Sequence, residues 1–194
     1  MPASWCSTRW GRRPTRPPES APSQQQAENM KFQQSLQYNK PSDEVIQLFG
    51  DPSYFERKFQ KLNALAFDVL DQSSTGDQFS IKVKLTFPLS VPVPGFAKKV
   101  VGDTTTLIEQ DSWDLAAKTG TLSVDIQGAP VKAVGQMKLV DQAGGCVNEI
   151  SWDISCSVPL IGKKIEKLIA DDIQAKGADD ARVTNELLAD SGSA

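Results

Sequence analysis

From Phe79 to Phe87 apolar and polar side chains alternate without a break: Phe79, Ile81, Val83, Leu85 and Phe87 against Ser80, Lys82, Lys84 and Thr86. Successive side chains of an extended chain point to opposite faces, so this run reads as a strand with one oily side. The pattern recurs in Leu122, Val124 and Ile126, in Val131, Ala133, Met137 and Leu139, and in Ile150, Trp152, Ile154, Cys156 and Val158. A sheet that is oily on one face must cover that face. The large element left to do so is an amphipathic helix over about 160–188. Ile161, Ile165, Leu168, Ile169 and Ile173 form its apolar stripe, with Lys163, Lys164, Lys167 and Asp171 around the other side and Gly177 as a point of kinking.

The rest of the order follows from local signals. Phe32, Gln34, Leu36 and Tyr38 share one face of a first strand. Pro41 with Asp43 and Glu44, and then Asp51-Pro52, read as the starts of two short helices, since proline is tolerated where a helix has no use for its N–H. Leu65, Phe67 and Val69 mark a second strand, 73–77 a turn, and Thr104 to Leu115 a fourth strand. The predicted class is therefore α+β: a seven-stranded curved antiparallel sheet gripping a long C-terminal helix, with two short helices between strands 1 and 2.

Composition removes much chemistry. The 194 residues include no histidine, which excludes histidine-based nucleophilic catalysis and His-ligated zinc. The balance of 21 basic and 24 acidic residues lacks the basic surplus of a nucleic-acid binder. No apolar run reaches the roughly 18 residues that a membrane-spanning helix needs. Cys146 and Cys156, if on one strand, lie roughly 33 Å apart at about 3.3 Å per residue and cannot pair. With Cys6 they have no metal-ligand spacing, so they read as buried apolar groups in a reducing, cytoplasmic setting.

Residues 1–29 are Arg-, Pro- and Gln-rich without apolar periodicity, and read as a disordered extension ahead of a natural start at Met30. The folded domain is then 30–190, with 191–194 as a tail.

This order resembles the helix-grip fold of the START-related, birch-pollen-allergen-like (SRPBCC) superfamily. Met30-Lys31-Phe32, Pro41 to Val45, Asp51 to Tyr54, Val93-Pro94-Gly95-Phe96 and Glu109 to Trp113 are similar to an uncharacterised actinobacterial family within it. The resemblance implies a cavity between sheet and last helix that takes up a hydrophobic or amphipathic small molecule, lipid or polyketide-like. It implies no cofactor, and no residue is assigned a catalytic or metal-ligating role.

The cavity candidates are Leu85, Trp113, Val124, Met137, Trp152, Ile165 and Ile169, with solid core packing as the alternative. Glu109 and Asp111 fall in the apolar phase beside Leu107, Trp113 and Leu115, as do Asn148 and Gln34 on their strands. An inward carboxylate must find a partner or go neutral. A bulge or strand end that returns these residues to solvent is the plainer reading. Val93 and Phe96 belong to a proline-rich loop, 91–101, with Lys98 and Lys99. It reads as ordinary packing, a cavity lid, or a transient membrane contact. Two rival functions stay open. One is a cyclase- or dehydratase-like enzyme using Glu109 or Asp111 as acid–base, with Tyr38 or Trp113 shaping the pocket. The other is a protein-interaction module using the outer sheet face or the Lys163 helix.

Overall fold

The computed structural model describes residues 29–88 and 103–191. Its strands are β1 (Met30–Tyr38), β2 (Ala66–Thr75), β3 (Gln78–Pro88), β4 (Thr104–Asp114), β5 (Thr119–Ile126), β6 (Val131–Gln142) and β7 (Gly145–Cys156). They form one seven-stranded antiparallel sheet in the spatial order β1-β7-β6-β5-β4-β3-β2. Helices α1 (Ser42–Phe49) and α2 (Pro52–Lys61) stand between β1 and β2, and α3 (Gly162–Ser191) follows β7. This is the predicted helix-grip architecture.

Each short helix begins for a local reason. At α2 the Asp51 carboxylate accepts from the Ser53 N–H at 2.9 Å, and Pro52 takes the first helical position. Pro41 has no side chain able to cap α1, so Asp141 at the end of β6 does it from across the fold. Its two oxygens accept from the Ser42 N–H at 2.8 Å and the Ser42 hydroxyl at 2.7 Å. The start of α1 is thereby pinned to the sheet.

Phe49 on α1 meets Tyr38, Tyr54 and Trp113 with ring centroids 5.8, 5.3 and 5.2 Å away. Phe55 and Phe59 of α2 pack on Phe79 and Phe87 of β3 at 5.9 and 6.3 Å. These aromatic contacts fill one end of the sheet's inner face. The long helix rests on β1, β7 and α2, so it does not span the whole sheet.

Several sequence expectations shift. Leu160 has φ of 67°, a left-handed conformation that a right-handed helix cannot contain, so α3 starts at Gly162. Ile161 and Leu168 are exposed rather than inward, while Glu166 and Ala170 are buried. Gly177 lies inside one continuous helical span, where a Cβ would collide with the Gln34 side-chain amide. It permits close approach to β1 instead of marking a break. The second strand runs on to Thr75, leaving Gly76 and Asp77 as the turn. As an edge strand, β2 lies at the margin of the helices' cover: Phe67 packs against Phe59 of α2, while Val69, and Leu65 just ahead of the strand, are exposed. Cys146 is buried, but Cys156, at the very end of β7, is only partly so.

Trp113 on β4 lies directly over its cross-strand partner Gly120, where a Cβ would meet the indole ring at 2.7 Å and the Ser112 carbonyl at 2.7 Å. Gly120→Val is therefore expected to cost about 1–3 kcal/mol through forced displacement of the indole. Denaturant unfolding followed by tryptophan fluorescence checks it; a variant as stable as the parent contradicts the packing described.

Candidate functional site: a cavity with a buried acid pair

Aromatic side chains close one end of the sheet and α3 covers its β1–β7 side, which leaves space over β4, β5 and β6. There the structure holds a cavity of about 370 Å³. Trp113, Val124, Met137, Trp152 and Ile169 stand in its wall, together with Glu109 and Asp111. Leu85 and Ile165 do not. Leu85 is fully buried in the core on β3, the strand that the aromatics of α2 cover, and Ile165 packs half-buried against the core near the start of α3. Val93 and Phe96 fall outside the described residues.

The preferred expectation that Glu109 and Asp111 return to solvent is overturned. β4 keeps an unshifted register with both neighbours from Leu107 to Asp114, so no bulge changes its phase. Asp111 is buried at 8% exposure and Glu109 is half-buried beside it. Removal from water raises the pKa of both carboxyls, and the negative charge of Asp111 raises that of Glu109 further. The two carboxyls influence each other's ionisation, so a proton held on Glu109 favours the charged form of Asp111.

Across the cavity, Lys58 of α2 reaches Asp180 of α3 at 2.7 Å, and both line the wall. The Lys58 ammonium lies 5.8 Å from the Tyr54 ring centre and 5.3 Å from that of Phe59. Burial opposes its charge, but Asp180, Tyr54, Glu109 and Asp111 together raise its pKa well above the ordinary lysine value. Lys58 is thus a fixed cation and not a free amine nucleophile. Tyr54 donates to or accepts from the Thr184 hydroxyl at 2.9 Å. Burial also raises the Tyr38 and Tyr54 phenols, which stay neutral.

The two inward amides behave differently. Gln34 is engaged at both ends: its oxygen accepts from the Trp152 indole N–H at 2.9 Å and its nitrogen donates to the Ile173 carbonyl at 3.1 Å. It braces α3 against β1 and β7. Asn148 is 3% exposed and interacts through its nitrogen with Met137 sulfur at 3.8 Å. Its Oδ1 has no hydrogen-bond partner among the described residues.

Lys58 and Asp180 were not singled out from the sequence, yet a signal existed. Lys58 lies one turn after Tyr54 and Phe55 and next to Phe59, within the apolar arc of α2. Asp180 lies one turn before Thr184 and two before Leu187, within that of α3. The lysines of α3, by contrast, are partly consumed locally: Lys163 pairs with the buried Glu166 at 2.9 Å and Lys167 with Asp171 at 3.0 Å.

Raised carboxyl pKa values have a definite sign. Glu109 moves from 4.5 to about 8 and Asp111 from 3.8 to about 6, so the folded state holds protons that the unfolded chain releases. Stability is therefore expected to fall as pH rises from about 5 to 8. Glu109→Gln removes most of that slope and stabilises at about pH 8 by roughly 1–3 kcal/mol, with little effect near pH 5. Thermal melts across this range check it; a flat parent profile with no gain from the variant is the contrary result.

Among solved structures, the Zhui aromatase/cyclase from a Streptomyces species superposes with a TM-score of 0.56 at 10% identity, covering 86% of this chain and 96% of that one. Norcoclaurine synthase from Thalictrum flavum, solved with dopamine and hydroxybenzaldehyde, gives 0.57 at 14% identity, covering 82% and 87%. Ara h 8.0201 gives 0.57 at 12% identity, covering 83% and 98%. At such identities the likeness is one of fold, the helix-grip fold. A comparison with curated proteins gives no match. Residues 33–188, from within β1 to the last turn but one of α3, match a family described as "Protein of unknown function (DUF2505)", and the chain belongs to that family.

Proposed function

We propose that the chain binds an apolar or amphipathic small molecule, of lipid or polyketide-like size, in the cavity between the sheet and α3. The carrying observation is the 370 Å³ of unfilled space walled mainly by apolar and aromatic side chains. That size falls in the range of about 300–1,000 Å³ typical of small-molecule pockets. A solid core at this position would leave no such space, since protein interiors pack to crystal-like density. The fold is shared with proteins of quite different activity, so the reading rests on the cavity and not on the architecture.

A second reading has one specific observation behind it. Adjacent, mutually coupled carboxyls whose ionisation is pushed toward neutrality suit general acid–base chemistry on a bound ligand. In that case Glu109 and Asp111 are the groups that exchange protons, with Trp113 orienting the substrate. Turnover that survives in Glu109→Gln and Asp111→Asn excludes the enzymatic role of these two.

Binding is tested with Nile red and by native mass spectrometry of protein incubated with lipid extract. The parent is expected to take up the dye and to carry added mass. Val124→Trp places an indole in the cavity and is expected to weaken dye uptake by about tenfold or more while the protein remains folded. Dye uptake unaffected by Val124→Trp, or unliganded protein across diverse extracts, argues against this site.

A further inference from the structure

The cavity is not electrically neutral. Among the described residues, its ionisable wall groups besides tyrosines are Lys58, Glu109, Asp111, Asp172, Lys176, Asp179 and Asp180. Lys58 is matched by Asp180 at 2.7 Å, Asp172 by Lys176 at 2.7 Å, and Asp179 by Arg182 at 3.4 Å. That leaves Glu109 and Asp111, adjacent on one face of β4, without an ion-pair partner of their own among the described residues, since Lys58 is held by Asp180. With one proton between them they carry a single negative charge, inside an apolar wall, that the Asp180-engaged Lys58 offsets only in part, an arrangement that costs stability unless something else neutralises it. The second observation is independent of the acids. Asn148, 3% exposed on β7 and facing the same cavity, presents an Oδ1 acceptor with no hydrogen-bond donor among the described residues.

Resting on the ligand-binding reading above, we propose that the cavity selects an amphiphile with an aromatic or alicyclic body and one cationic amine, whose ammonium is received by Glu109 and Asp111. A second donor on the ligand, a hydroxyl or amide N–H, satisfies Asn148 Oδ1. A monocation cancels the surplus charge, and its N–H groups donate to carboxylate oxygens in charge-assisted hydrogen bonds. Phe49, Tyr54, Trp113 and Trp152 supply flat surface for the ring and negative π-faces for the ammonium. The same arithmetic disfavours fatty acids and other carboxylates. The cavity's lysine nearest the acid pair is already engaged by Asp180, so an anionic head would add like charge to the pair.

The test compares three probes of matched shape, naphthylethylamine, naphthylethanol and naphthylacetate, by calorimetry on the full chain at neutral pH and low salt. The amine is expected to bind at least about tenfold more tightly than the alcohol, as hydrogen bonds to charged groups warrant, with the carboxylate weakest. Replacing both acids, Glu109→Gln with Asp111→Asn, is expected to bring the three affinities within about threefold of one another. These amides are near-isosteric and uncharged, and circular dichroism reports whether the fold is kept. Asp111→Asn alone, which leaves one carboxyl, retains part of the preference and serves if the double variant does not fold. An alcohol or carboxylate that binds as well as the amine overturns the amine assignment and leaves the cavity reading standing. So does an amine advantage that persists in both variants. Failure of all three probes together with Nile red removes the cavity reading itself.

Discussion

Everything in this fold depends on a mismatch of area: a curved sheet whose one oily face is wider than a single helix can cover. Burying apolar surface is worth about 25 cal/mol per Å², so no strand can leave that face in water without cost. α3 settles over β1 and β7, and the aromatic side chains of α1 and α2 close the end formed by Tyr38, Phe79 and Trp113. The part over β4 to β6 is walled without being filled. The cavity is thus a consequence of how few elements share one large surface, and its walls are the same alternating side chains that make the strands.

Polar groups in that interior do two kinds of work. Gln34, held by Trp152 and Ile173, fixes the helix to the sheet at the point where Gly177 lets the backbones approach. The Lys58–Asp180 pair likewise ties α2 to α3. Breaking such ties would expose buried donors and acceptors, so they favour one seating of the helix over its neighbours. Glu109, Asp111 and the Asn148 oxygen serve no bracing role of this kind. They are ionisable or unsatisfied groups kept in an apolar wall at a cost to stability, the pattern associated with sites rather than scaffolds.

How far the sequence reveals this differs by element. β3 announces itself through Phe79 to Phe87 because its inner face is fully covered, so every second residue must be apolar. β2 is less legible: at a sheet edge Leu65, Val69 and Leu70 face water, and alternation there carries no information about burial. The apolar stripe of α3 is read correctly at Ile169 and Ile173 and wrongly at Ile161 and Leu168. Periodicity gives the arc but not how far the helix rolls on its support. Lys58 and Asp180 pass as ordinary surface charges because their partners lie on different helices, far apart along the chain.

Strand identity, the meander order of β4 to β7 and the inward phase of Glu109 and Asp111 are determined by local alternation and short connections, which any reader of the residues can count. The pairing of β1 with β7, by contrast, joins segments more than 100 residues apart. Whether those carboxyls meet water, a bulge or a cavity is decided only when β4 keeps its register and α3 leaves that strip of sheet uncovered. Burial and the meeting of distant charges are properties of the assembled surface. Sequence spacing along a single element does not contain them.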